Sequence, residues 1–134
     1  MMLRRSGPRR IGPEPVSDHE ETLRKLAVRD DAYVDLLLSN GRASEAAAAL
    51  DRRASALVRI GALIALDAAP PSYMEAIEEA RAHGASCDEI AGCLVAVLPT
   101  VGVARVVSAA PKVALALGYD VDAALELIDA AAKR

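Results

Sequence analysis

Fifteen consecutive residues, Ile90 to Ala104, carry no charged side chain, and Arg105 follows them directly. A helix that crosses a membrane needs about 20 apolar residues, and this run is shorter and contains Pro99. It therefore reads as a helix buried in protein on nearly every side. Proline removes one backbone hydrogen bond and crowds the carbonyl four residues earlier, here that of Val95, so a bend or break is expected near Pro99. The chain has limited means of burying such a helix alone. Of its 134 residues 53% are hydrophobic but only 2% aromatic, so alanine, valine and leucine supply the apolar surface. Small side chains each remove little area from water, at roughly 25 cal/mol per Å². Packing between copies is the natural way to bury more, and a homo-oligomer is expected.

The other signals are helical. Serine followed three residues later by glutamate is the capping-box pattern, and it occurs at Ser17/Glu20, Ser72/Glu75 and Ser86/Glu89. The first opens a helix, or a pair of short ones, reaching toward Asn40-Gly41, and the alanine-rich stretch Ala43 to Leu50 reads as one more short helix. Asp51 is an N-cap for a helix to about Leu66. Leu57, Ile60, Gly61 and Ile64 recur there at helical spacing, while Arg52, Ser55 and Arg59 form a polar stripe. The half from Ile60 to Leu66 has no polar face, which predicts a central place in the core. Pro70-Pro71 forces a turn before a helix from Tyr73 to His83. Pro111 marks a second break, Gly118 closes the apolar segment, and Asp120 caps a last helix whose wet face is Asp122, Glu126, Asp129 and Lys133. No stretch alternates as a half-buried strand does, and no repeat has solenoid length. The expected fold is an all-α, single-domain helical bundle of about six to eight helices over residues 16–134, preceded by a disordered basic arm over residues 1–15.

Residues 1–12 of that arm hold Arg4, Arg5, Arg9 and Arg10 and no acid. The rest of the chain has 12 basic against 19 acidic side chains, a net of −7. An acidic body without basic stripes or stacking aromatics is a poor nucleic-acid surface, so neither nucleic acid nor membrane is expected as a partner. The start has charge but no apolar segment with a cleavage site, because Gly7, Pro8, Gly12 and Pro13 interrupt it, and a cytoplasmic location is the default expectation.

The order of an Asp-capped "LDRRASALVRIGALIAL" helix, a short loop, a helix ending "ARAHGASCDEIAGCL" and an apolar helix leading to a glycine resembles the carboxymuconolactone decarboxylase and alkylhydroperoxidase D-like superfamily. The resemblance covers roughly Leu50 to Gly118. It implies an all-α bundle of the alkylhydroperoxidase D-like type, assembled as a trimer or hexamer and working without a cofactor. The residues that run the familiar chemistry do not carry over. In the peroxidase branch the glutamate position falls on Ala56, the paired cysteines near Ala68 and Ser72, and the histidine near Ala76. In the decarboxylase branch a histidine position falls on Ala96 and a tyrosine position on Thr100. What remains implied is a cofactor-independent enzyme or a binder of a small anionic molecule, without thiol peroxidase activity. The alternative is a non-catalytic oligomeric scaffold or accessory protein that keeps the fold.

The residues present offer few catalytic groups. Cys87 and Cys93 are separated by about 240° of helical rotation and cannot make the Cys-x-x-Cys hook that activates a thiol. Cys87 falls in a first helical turn, where the helix dipole favours a thiolate. Cys93 lies in the apolar run, as a structural thiol does. His83 stands at a helix end where an imidazole can meet the last carbonyls. His19 is 64 residues away, and no Cys or carboxylate cluster at ligand spacing joins the two, so no metal is expected. The informative polar residues are those interrupting the apolar segment: Thr100, Arg105 and Lys112. Arg105 must reach solvent, an acidic partner or an anionic ligand. Thr100 either satisfies the carbonyl freed by Pro99 or faces a ligand. Thr100 and Arg105 are the candidate ligand-binding residues, and catalytic residues are not assigned.

Overall fold

The computed structural model describes residues 18–119 and 121–133. Among them are eight helices and no strand: α1 (Asp18–Ala27), α2 (Asp31–Ser39), α3 (Gly41–Ala48), α4 (Arg52–Leu66), α5 (Pro70–Ala82), α6 (Cys87–Val101), α7 (Val103–Ala116) and α8 (Val121–Ala132). The basic arm, Ser17 and Asp120 fall outside the described residues. No helix among these is long and apolar enough to cross a membrane. Within the span read as one domain, contacts cluster into two compact units, one ending at Ala47 and one beginning at Ala48.

The first unit is held by local electrostatics. Helix α1 has Asp18, Glu20 and Glu21 in its first turn and Arg24 and Lys25 in its last, which complements the helix dipole. Glu21 lies 2.9 Å from Arg24 and 3.4 Å from Lys25. Lys25 also stands over the Tyr33 ring, 5.0 Å from its centroid. Asp30 caps α2 by accepting the Tyr33 N–H at 3.1 Å, and Asn40 Oδ1 starts α3 by accepting from the Arg42 and Ala43 amides. None of the three helices contributes a fully buried residue.

The second unit has a core. Apolar residues at helical spacing bring α4 to α7 together: Ala56, Ile60 and Ile64 from α4, Tyr73, Ile77 and Ala80 from α5, Ile90 from α6, and Ala109 and Val113 from α7 are all buried. Helix α4 packs beside α5 and α6, and α7 packs beside the same two. The pairs α4/α7 and α5/α6 therefore lie across the bundle. Helices α4 and α6 approach closely at Gly61, where an added Cβ would stand 3.3 Å from Val97 Cγ1. At the entrance to this bundle Asp51 caps α4 through the Ala54 amide at 2.6 Å. Ser86 and Glu89 complete a reciprocal capping box on α6, and Glu89 also pairs with Arg53 of α4.

Three expectations are corrected. Helix α5 begins at Pro70, with both prolines in its first turn, so Ser72/Glu75 is inside the helix and not its start. Proline suits that position because its missing N–H would have no partner there. Neither Pro99 nor Pro111 ends a helix: α6 runs through Pro99 to Val101, and α7 runs through Pro111 to Ala116. Both prolines are exposed, and on a helix's solvent side a lost backbone bond costs least because water can replace it. The interruption falls instead at Gly102, the single non-helical residue between α6 and α7, with φ of 88°. Finally, the apolar run is not enclosed within one chain. Ile90 alone is fully buried in α6, Val95 is 72% exposed, and Leu66 at the end of α4 is also on the surface.

Candidate functional site

Arg105 and Lys112, two of the three polar residues that interrupt the apolar segment, converge with Ser108 on a residue that the sequence did not single out, Asp67. It closes α4 in the left-handed conformation, φ 52°, and the next residue returns its amide to the Leu63 carbonyl at 3.1 Å. Arg105, Ser108 and Lys112 recur at i, i+3 and i+7 along one face of α7 and all point to this corner. Ser108 Oγ donates to Asp67 Oδ1 at 2.7 Å, and Lys112 Nζ lies 3.4 Å from the same oxygen while donating to the Ala68 carbonyl at 2.8 Å. Arg105 stands 3.6 Å from Asp67 Oδ2. The Ser108 hydroxyl, then Lys112 and Arg105, hold the Asp67 carboxyl below its usual pKa of 3.8.

A depressed folded-state pKa means that the folded protein binds fewer protons than the unfolded one at acid pH. The contribution is whole above about pH 3.8 and is lost as the pH falls through the lower folded value. Asp67→Asn should therefore flatten the acid limb of a melting-temperature profile while changing its neutral region less. An acid limb unchanged by the substitution would show that this corner contributes nothing through ionisation.

Thr100 is exposed in the last turn of α6. It and Arg105 lie on opposite sides of Gly102, and neither lines the two clefts described below. Cys87 is exposed at the first position of α6. The Cys93 thiol donates toward the Glu89 carbonyl at 3.4 Å and the Leu57 carbonyl at 3.7 Å. Burial, reinforced by the Glu89 carboxylate, raises the Cys93 pKa, which keeps it a thiol rather than a nucleophile. His83 Nε2 faces Glu79 Oε1 at 3.5 Å rather than the helix carbonyls. Among the described residues no three His, Cys, Asp or Glu side chains gather as a metal site.

The most site-like cavity is a cleft of about 370 Å³ between α4 and α5, lined by Ala56, Arg59, Ala62, Leu63, Ser72, Glu75, Ala76 and Glu79. Its wall is apolar and its rim carries one cation, two carboxylates and a hydroxyl. Arg59 makes no hydrogen bond or ion pair among the described residues. The spacing of Arg59 on α4, and of Glu75 and Glu79 on α5, is visible in the sequence as the polar faces of two amphipathic helices, while Ser72 reads as a cap. Only the packing reveals that these faces flank one hollow. No family model, no curated protein and no solved structure matches the chain.

Proposed function

We propose that the chain is a divergent relative of the carboxymuconolactone decarboxylase-like proteins that assembles with copies of itself and holds a small anionic molecule between α4 and α5. The observation that carries this reading is the composition of the α4–α5 cleft. Ala56, Ser72 and Ala76, the positions onto which the resemblance maps a glutamate, a cysteine and a histidine, line the same hollow. The cavity suits a small ligand in size, and its reactive side chains are replaced by small ones. Arg59 supplies a guanidinium for a carboxylate, and Glu75 and Glu79 supply acceptors for an amine or hydroxyl on the same molecule. The lining contains no sulfur, which supports a reading without thiol peroxidase chemistry.

Small carboxylic acids bearing hydroxyl or amino groups should raise the melting temperature of the wild type. Arg59→Ala should abolish the shift, and Arg105→Ala should retain it. The reverse pattern would move the ligand to the Thr100/Arg105 corner. A flat response across the panel, with no molecule co-purifying in native mass spectrometry, would favour the scaffold reading. That second reading draws on the uncharged surface of α6, which suits contact with another copy whether or not a ligand is held.

A further inference from the structure

Two apolar surfaces of the second unit are exposed among the described residues, and they fit each other. The first is a groove between α6 and α7. Its open end is a cleft of about 470 Å³ lined by Ala91, Leu94, Ala110, Val113, Ala114 and Leu117, with Cys87, Asp88 and Tyr119 at its mouth. Asp88 is the one charged side chain in this lining. Toward Gly102 the groove continues in Val95 and Leu98, on the same face of α6 as Ala91 and Leu94, and in Val103 and Val107 on the matching face of α7. All four are exposed. The second surface belongs to α8. At about 100° per residue, Asp122, Glu126, Asp129 and Lys133 share one side of this helix, and Leu127, Ile128 and Ala131 the other. Leu127 is 73% exposed and Ile128 63%.

We infer that α8 of one copy lies in the α6–α7 groove of a second copy, so that assembly proceeds by exchange of this C-terminal helix. The inference rests on the homo-oligomer reading above and names its surface. The lengths agree. At 1.5 Å per residue the 12 residues of α8 span about 18 Å, and the 15 of α6 about 22 Å. The groove's small residues, Ala91, Ala110 and Ala114, leave hollows for larger side chains, and α8 presents Leu127 and Ile128 as the anchors of a helix-in-groove contact. Its acidic face then remains in water. The helix's own groove is a poor alternative. Helix α8 starts just beyond the groove's lip at Tyr119, and within the single chain Leu127 and Ile128 stay exposed while the groove stays open. Exchange of an identical element between copies satisfies both surfaces at once.

Cys87, at the mouth of the groove, provides the probe. A full-length chain carrying Cys93→Ala and Leu127→Cys, with Ile128→Cys as a second version, is exposed to a mild disulfide-forming oxidant. The expected product is chains linked to one another by disulfide, as dimers or larger species, that disappear when Cys87 is replaced by Ser. Glu126→Cys, on the opposite face of α8, should give far less of it. Closure of the same two thiols within one chain would overturn the inference and show that α8 covers its own groove. Equal linkage from Glu126→Cys, or free thiols in a protein that light scattering shows to be a multimer, would also overturn it and leave the homo-oligomer standing. A particle of 14.0 kDa would remove both.

Discussion

Val97→Asp is expected to unfold the second unit, whereas Val95→Asp, two residues away, is expected to leave it helical and abolish assembly. Val97 packs against the buried core and meets α4 where Gly61 lets the two backbones approach, 3.3 Å from the position of an added Cβ. Val97 is half-buried, so a carboxylate there loses part of its water against that contact, and an unpaired charge held in such a place costs up to several kcal/mol. That is a large share of the roughly 5–15 kcal/mol by which a domain is stable. Val95 is 72% exposed in the single chain, so a carboxylate there stays hydrated unless a second copy covers it. Far-ultraviolet circular dichroism reports the first outcome and light scattering the second. If Val95→Asp assembles as the wild type does, this face of α6 is not an interface. If Val97→Asp melts normally, the α4–α6 contact is looser than the geometry indicates.

Tyr73→Phe is expected to stabilise the protein. The Tyr73 ring is completely buried, and its hydroxyl has no hydrogen-bond partner among the described residues. A buried hydroxyl without a partner costs about 1–3 kcal/mol, and deleting it while keeping the ring recovers that cost without opening a cavity. Burial, together with the Asp67 carboxylate, raises the phenol's pKa, so the group is neutral throughout the neutral range. Denaturant midpoints should rise with an unchanged slope. A lower midpoint would mean that the hydroxyl is satisfied in solution, by an enclosed water for example, and that the core includes that water.

The helices of the second unit were legible wherever their signal was local. Asp51 and the Ser86/Glu89 box announced the starts of α4 and α6 because a cap is made within four residues of the chain. Ile60, Ile64, Tyr73 and Ile77 announced themselves by their period. Two kinds of information were not legible. The sequence placed a bend or break near Pro99, whose local penalty is large, and the interruption falls three residues on, because a proline facing solvent in a helix's last turn loses little and Gly102 takes up a positive φ more readily. Asp67 was invisible because its partners Ser108 and Lys112 lie 41 and 45 residues further on, a pairing that only the packing of α4 against α7 creates. The α4–α5 cleft has the same origin. Arg59 and Glu75 were readable as polar faces, and the hollow between them was not.

The joint between α6 and α7 is one residue, so the chain has no slack there. Every longer loop in this unit can absorb a small change in torsion without moving the helices it connects. Gly102 cannot, because its φ of 88° and the ψ that follows set the angle between the two helices directly. The width of the α6–α7 groove is thus written in the backbone rather than in the side chains that line it. Exchanges among Ala, Val and Leu along the groove alter its texture and leave its opening unchanged. A side chain at 102 would instead have to pay for a positive-φ, extended conformation that glycine alone adopts readily, or turn one wall against the other, resizing the groove from a point that touches nothing placed in it.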